Sequence, residues 1–461
     1  MEAAVDLFRS YIAEIKTTAS AFSGLGLCLR RLGQFPEAIA MFHRALAIAP
    51  KNAALLNQFG STLIRAGDLD KAATVFEQAI GIAPDNLQPY LSLSAIQKSR
   101  GNESNARRTL RAGVNRKPIS TTICFGTPRA RILRLRGVQN AYYTLGKSRN
   151  GRHKLKLRGG NFSSRYFWDS AEYTTINYMV LNNNLTQPNR IPKFDIVINT
   201  IADPDLETAS LLTAAKFLAQ NPELPFINDP LQVLETTREK NYHRLVNIDG
   251  INMAKTLRVP PEKANKEDLT RLLEEHKFKF PILLRETGTH TGRTFIKADT
   301  LEEFVAAAEE LSGAELYLIQ FVENLFQEKY HRKIRFFCID GKLYPVVLHI
   351  DETWNVHGSN RKTLMAQHEW MIEEEKSFMA DPEAYLGAEN YARLNGLHEL
   401  VGLDFFGFDF NLTDDGELLI FELNPAMRHA YDHAANFEYL QPHMERVTQA
   451  FRDMIDARIK K

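Results

Sequence analysis

The sequence predicts a multidomain chain of α and α/β class: a helical solenoid first, then a small parallel α/β segment, then mixed helix and sheet. Three observations predict it. Gly26, Gly33, Ala38, Phe42, Ala45 and Pro50 recur 34 positions later as Gly60, Gly67, Ala72, Phe76, Ala79 and Pro84, the mark of stacked helix pairs. A strand–helix–strand succession between residues 129 and 228 implies a parallel sheet. Residues 405–425 alternate around an Asp-Gly turn, a strong hairpin signal.

The chain has 461 residues, a length that suggests about three domains. Lys and Arg number 57 against 56 Asp and Glu, a net charge of +1, which argues against a dedicated nucleic-acid binder. Cys28, Cys124 and Cys338 stand apart with no CxxC pair, so neither a disulfide scaffold nor a thiolate zinc site is expected. No apolar run is long enough to span a membrane. The first sixteen residues mix acids with apolar residues and lack a basic region, so no signal peptide is expected. A cytoplasmic protein, bound to neither membrane nor nucleic acid, is the expectation.

In residues 1–118 a third, degenerate copy of the repeat carries Gly101, Ala106, Leu110, Gly113 and Pro118. The 34-residue period, the small residues and the closing prolines resemble the tetratricopeptide repeat. That resemblance implies a curved solenoid binding a peptide or protein, with residues 2–16 as a capping helix. Gly24-Leu25-Gly26 is no dinucleotide loop: it lies within a repeat helix, no strand precedes it, and Leu29 stands where a third glycine belongs.

In residues 119–230, strands are expected at 129–138, 194–201 and 225–228, and helices at 170–181 and 205–220. Basic, turn-rich sequence fills the first gap. Its stretch 147–158 either meets phosphate or an acidic partner, or is a solvated loop.

For residues 405–425, a two-residue Asp415-Gly416 loop sets Asp409 opposite Glu422 and Gly407 opposite Asn424. Two carboxylates facing each other on one side of an apolar hairpin repel unless a cation lies between them. Two carboxylates and an amide oxygen are hard ligands that suit Mg²⁺ shared with phosphate. The other reading is two unrelated surface acids.

The order of motifs after residue 230 resembles the ATP-grasp superfamily. The resemblance implies residues 119–230 as a pre-ATP-grasp α/β domain, 231–321 as a nucleotide-binding lobe and 322–461 as a lobe with the metal and substrate site. It implies Lys240, with Arg238 as fallback, as a cation for the nucleotide phosphates. Arg285 ends the strand 280–285 where the family has lysine; charge is retained and bidentate phosphate binding gained. Gly288, Thr289, His290 and Gly292 take the place of the glycine-rich phosphate lid. Gln320, Phe321, Val322 and Glu323 take the place of the adenine-binding hinge, and Glu328, with Glu323 second, that of the ribose-binding acid. Arg335 matches the arginine that stabilises charge at the reaction centre, with Arg332 and Lys333 as alternatives. Asp409, Glu422 and Asn424 match the metal ligands.

Residues 351–375 would line an acceptor pocket as a mobile segment, with Glu373–Glu375 as a solvated helix face. His429 and His433, four apart, fit either a metal pair or surface and substrate-site histidines. The resemblance therefore implies an ATP- and Mg²⁺-dependent ligase that joins a carboxylate to an amine or thiol through an acyl phosphate. The acceptor would be a peptide or protein brought by the repeats, and the nucleophile a small-molecule amine or amino acid. Two further readings are an ATP-grasp kinase acting on a hydroxyl, and a non-catalytic adaptor with a vestigial nucleotide fold.

Overall fold

The computed structural model describes residues 1–14, 17–147, 153–289, 294–311 and 313–460. They fall into two compact units. The first holds residues 1–120, 140–159 and 177–184; the second holds 121–139, 160–176 and 185–461.

The first unit is built from helices Glu2–Glu14, Ala19–Leu32, Phe35–Ile48, Ala53–Ala66, Leu69–Ile82, Leu87–Ser99 and Glu103–Arg116. The 34-residue period has a steric cause. A Cβ on Gly60 would lie 2.7 Å from the Phe76 ring, and one on Gly26 3.0 Å from Phe42, while both rings are fully buried. Each glycine lets a large side chain cross close to the neighbouring helix backbone. Gly33 and Gly67 end helices in the left-handed conformation, at φ +85° and +89°, where the absence of Cβ removes the strain.

Helix Leu87–Ser99 has nine buried residues, running without a break from Pro89 to Ile96, so it is covered on more than one side. Part of that cover is a hairpin, Tyr142–Lys147 paired with His153–Arg158. Its Leu145 packs on the repeat core, and Lys98 Nζ lies 4.5 Å over the Tyr142 ring. The stretch expected as a basic loop thus contributes a strand. The alternation of Leu155 and Leu157 with Lys154, Lys156 and Arg158 is a period-two pattern masked by its charge.

In the second unit, strands Ala130–Gly137, Ile196–Asn199 and Phe226–Ile227 run parallel, with helix Pro204–Ala219 joining the last two. The helix expected at 170–181 is instead strand Tyr173–Val180, a segment rich in aromatic and β-branched residues.

Beyond it, four antiparallel strands lie in the order Ile296–Ala298, Ile282–Glu286, Leu316–Gln320, Thr256–Val259. Leu269, Leu273 and Phe304 of helices Lys266–Glu275 and Leu301–Glu310 pack with Ile282, Leu284, Leu316 and Leu318 of that sheet. Alternation turns Leu283 and Arg285 to its other face. A five-stranded sheet follows, in the order Lys342–Asp351, His331–Ile339, Phe405–Leu412, Leu418–Asn424, Ile251–Met253. Phe336 packs against Phe378, Phe408 and Phe410. Phe337 and Phe405 pack together, and Phe405 also meets Phe167 and Phe451. Among the described residues no helix is long and apolar enough to cross a membrane.

Candidate functional site

The strands Phe405–Leu412 and Leu418–Asn424 pair Asp409 with Glu422 and Gly407 with Asn424. The turn differs from expectation. Thr413 N donates to Glu417 O at 2.8 Å, leaving a three-residue loop, Asp414 to Gly416, with Gly416 at φ +78°. That loop puts the pairing one residue out of step as far as Phe410 and Ile420, and a bulge between Asp409 and Phe410 restores it.

Asp409 is 2 % exposed. Arg335, directly opposite it on strand His331–Ile339, donates from Nε to Oδ1 at 2.6 Å and from Nη2 to Oδ2 at 2.8 Å. Lys333 Nζ is 3.5 Å from Oδ2. Burial pulls the Arg335 guanidinium down, but the adjoining Asp409 outweighs it and holds the group above its ordinary value. Glu422 Oε1 accepts from Asn424 Nδ2 at 2.9 Å and pairs with Arg238 Nη2 at 2.9 Å. Arg238 also donates to Phe421 O at 3.0 Å.

Lys240 is not brought to these acids. It bonds to Leu234 O at 3.1 Å and Glu235 at 2.7 Å. Helix Arg238–Leu245 turns about 200° between the two positions, so if Arg238 faces the hairpin, Lys240 faces away. Arg285 is buried and held down at about 10 by burial first and Arg238 second, with Glu422 opposing. It donates to the Thr289 carbonyl and, at 3.3 Å, to Thr289 Oγ1. Thr289 is thus engaged with Arg285. A Cβ on Gly288, at φ +69°, would meet Leu206 at 2.5 Å. His290 and Gly292 lie outside the described residues.

At the expected hinge, Gln320 Nε2 donates to the carbonyls of Lys279, Pro281 and Phe321, and Oε1 accepts from Lys279 N. Phe321 meets Trp354 edge-on at 5.9 Å and lies under Lys297 Nζ at 4.5 Å. Trp354 also meets Phe295 at 5.2 Å. Together with Leu283 and Ile319 these rings line the face of the four-stranded sheet that carries Arg285. Val322 is half-buried and Glu323 exposed, 3.8 Å from His331. Glu328 is exposed, at φ +60°.

Residues 351–375 contain short turns and the start of helix Glu369–Ala380. Glu375 is fully buried, not a solvated face. Arg361 pairs with it through two bonds, at 2.9 and 2.5 Å, and Arg361 Nη1 also lies 3.3 Å from His349 Nδ1. His349 meets His433 at 5.5 Å. His429 instead stacks on Tyr431 at 4.7 Å, ahead of helix Tyr431–Ala434, so the two histidines do not share its face. Among the described residues no three His, Cys, Asp or Glu gather as a metal site.

Asp409, Glu422 and Asn424 form a smaller donor set: two acids and an amide. The fork of Arg335 takes one lone-pair site of each Asp409 oxygen, Lys333 lies 3.5 Å from Oδ2, and Asn424 Oδ1 accepts from Ala426 N at 2.7 Å. The donors are oxygens of the hard type that Mg²⁺ prefers. Sequence reasoning underrated Arg238, Lys333 and the Arg361–Glu375 pair. For Lys333 the signal was present: it shares the alternation phase of Arg335, whereas Arg332 turns to the other side, to Asn411 and Glu374.

The tetratricopeptide repeat family matches residues 17–85. Helix pairs of the repeat type thus open the chain, and residues 17–85 form a tetratricopeptide repeat domain, followed by a mixed helix and sheet region. Among solved structures, MamA is 21 % identical over 24 % of this chain and 66 % of its own, with a TM-score of 0.24. YrrB, described as a TPR protein with an unusual peptide-binding site, is 22 % identical over 25 % of this chain and 59 % of its own, also at 0.24. The chain thus spans less than two thirds of either. No curated protein matches the sequence.

Proposed function

We propose that residues 231–461, with 119–230 ahead of them, are an ATP-grasp ligase, and that the repeats bring it a peptide or protein acceptor. The observation that carries this reading is Asp409 set opposite Glu422, each paired with a guanidinium and Glu422 bonded to Asn424. The succession of a four-stranded and a five-stranded sheet supports it, since the resemblance implies two lobes, although Ile251–Met253 of residues 231–321 joins the second sheet.

Asp409, Glu422 and Asn424 would hold Mg²⁺, which when bound neutralises phosphate charge. Arg238 and Arg285 add fixed positive charge beside Glu422, suited to nucleotide phosphates. Arg335 and Lys333 do so beside Asp409, where charge develops on the acceptor. Such fixed charges, set in a partly dry site, are most of what phosphoryl transfer requires. The acceptor carboxylate attacks the terminal phosphorus and ADP leaves. The amine then attacks the acyl carbon, and phosphate departs with the C–O electron pair. A repeat domain holding the same peptide raises its effective concentration.

Glu422→Gln and Asp409→Asn are expected to cut Mg²⁺-dependent ADP formation by about a hundredfold, or ~2.7 kcal/mol of barrier. Circular dichroism should show both variants folded. Unchanged turnover in folded Glu422→Gln removes the assignment. Phosphate left stably on the acceptor would indicate a kinase, and its release a ligase.

A further inference from the structure

Residues 104–168 hold sixteen Lys and Arg and no Asp or Glu, in a chain whose net charge is +1. So one-sided a run points to an acidic partner. Part of it is the hairpin of Tyr142–Lys147 and His153–Arg158, which belongs to the same compact unit as the repeats. Its first strand lies along helix Leu87–Ser99. Leu145 packs on the repeat core and stands opposite Leu155, while the buried Tyr143 stands opposite Leu157. These four side chains therefore share the face turned to the helices. Alternation turns Tyr142, Thr144, Lys156 and Arg158 outward. A Cβ on Gly146 would come 2.7 Å from Lys156 Cδ, which places the lysine stem across that outer face. Tyr142 is 40 % exposed and Arg158 is exposed. Lys98 Nζ stands 4.5 Å over the Tyr142 ring and also pairs with Glu103, so that acid is engaged. Among the described residues no further strand pairs with His153–Arg158. A two-stranded sheet is marginal by itself, and an edge strand offers N–H and C=O groups to an incoming chain.

We propose that the hairpin takes an acidic peptide in extended form, added as a third strand along the edge of Leu155–Arg158. The inference rests on the reading of the repeats as a peptide-recruiting domain and is independent of the ligase chemistry. In strand addition the main-chain bonds give affinity and alternate side chains give specificity. Every second side chain of the added strand lies on the outward face, beside Lys156 and Arg158, so the edge selects Glu or Asp at alternate positions. Opposite charges on neighbouring strands stabilise the pairing, and like charges oppose it. A peptide fits this face better than single-stranded nucleic acid, which needs open aromatic rings on which bases stack. Tyr142 is covered by Lys98.

The test is fluorescence anisotropy of the full chain with labelled peptides of alternating Glu and Thr, the same peptides with Gln for Glu, and single-stranded RNA. The Glu peptide should bind about tenfold tighter than the Gln peptide, and less tightly as salt is raised. Lys156→Glu with Arg158→Glu should remove that preference, whereas Lys263→Glu with Lys266→Glu, a charge change of the same size elsewhere, should leave it. Circular dichroism checks the fold. Lys156→Gln with Arg158→Gln, a milder change, should weaken binding of the Glu peptide about threefold. N-methylation of alternate residues should cost about tenfold in one register and little in the other, since only one set of amides faces the strand. Equal binding of Glu and Gln peptides, a preference that survives either 156/158 variant, two N-methylated registers that bind alike, or RNA bound in place of the acidic peptide overturns the proposal. Gln and Glu peptides bound equally well would still leave the repeats recruiting a peptide. No nucleotide is present, so the ligase reading is judged separately by ADP formation.

Discussion

Glu375 has no exposed surface and Arg361 is 1 % exposed, so their ion pair is held wholly out of water. Glu375 Oε1 also accepts from Leu348 N at 2.8 Å, and Arg361 Nη1 donates to Leu348 O at 2.9 Å. The pair thus ties strand Lys342–Asp351 to the turn Gly358–Lys362 and to helix Glu369–Ala380. Removing one member strands a buried charge, which costs more than the pair itself is worth. Glu375→Ala should therefore destabilise the protein by about 3–5 kcal/mol in urea unfolding, and Arg361→Met with Glu375→Leu should recover most of that. A double variant no more stable than Glu375→Ala would show that the bonds to Leu348 matter more than charge. The burial was half legible: Met371, Glu375, Phe378 and Met379 share one helical stripe, but Arg361 is a loop residue 14 positions back. Asp409 and Glu422 were read from alternation together with an assumed turn. Choosing Arg238 over Lys240 required the phase of a helix whose first residue was not known.

The hairpin that carries both acids shows what is and is not readable in an element. Its alternation and Asp-Gly signal were plain, but the extra loop residue and the bulge were not, since each leaves the alternation of the flanking runs intact. The two offsets cancel at Asp409 and Glu422, so the site pairing emerged from an incorrect turn. Gly416 is the fixed point of the three-residue loop, at φ +78°, where an L side chain is strained. Gly416→Ala should cost about 1–2 kcal/mol by denaturant midpoint, and no loss would mean that the loop adopts another turn. Strands 142–147, 153–158 and 173–180 were missed for a different reason. Charge on their outward residues, or a run readable as either period, hid an alternation that only the packing partner makes visible.

Across the whole molecule, the repeat region was the most legible because one steric device, glycine under a phenylalanine ring, recurs at a fixed interval. Beyond it, order depends on pairings between strands distant in sequence, such as Ile251–Met253 beside Leu418–Asn424, which no local pattern encodes. Those pairings also enclose histidines. His429 is held down at about 3 and His433 at about 4, each by burial first. His349 is held well below its usual value by burial and then by Arg361. Each is neutral in the folded chain at pH 7, whereas an unfolded imidazole protonates near 6.5. Between about pH 6.5 and 4 the unfolded state thus binds protons that the folded state does not, so stability is complete above that window and falls as pH drops through it. Each histidine contributes a slope of at most ~1.4 kcal/mol per pH unit. Urea midpoints should therefore be clearly lower at pH 5 than at pH 7.5. His429→Phe, whose ring can keep the stack on Tyr431, should shrink that difference by about one histidine's share, and an equal drop in wild type and variant would mean that His429 protonates without unfolding the fold around it.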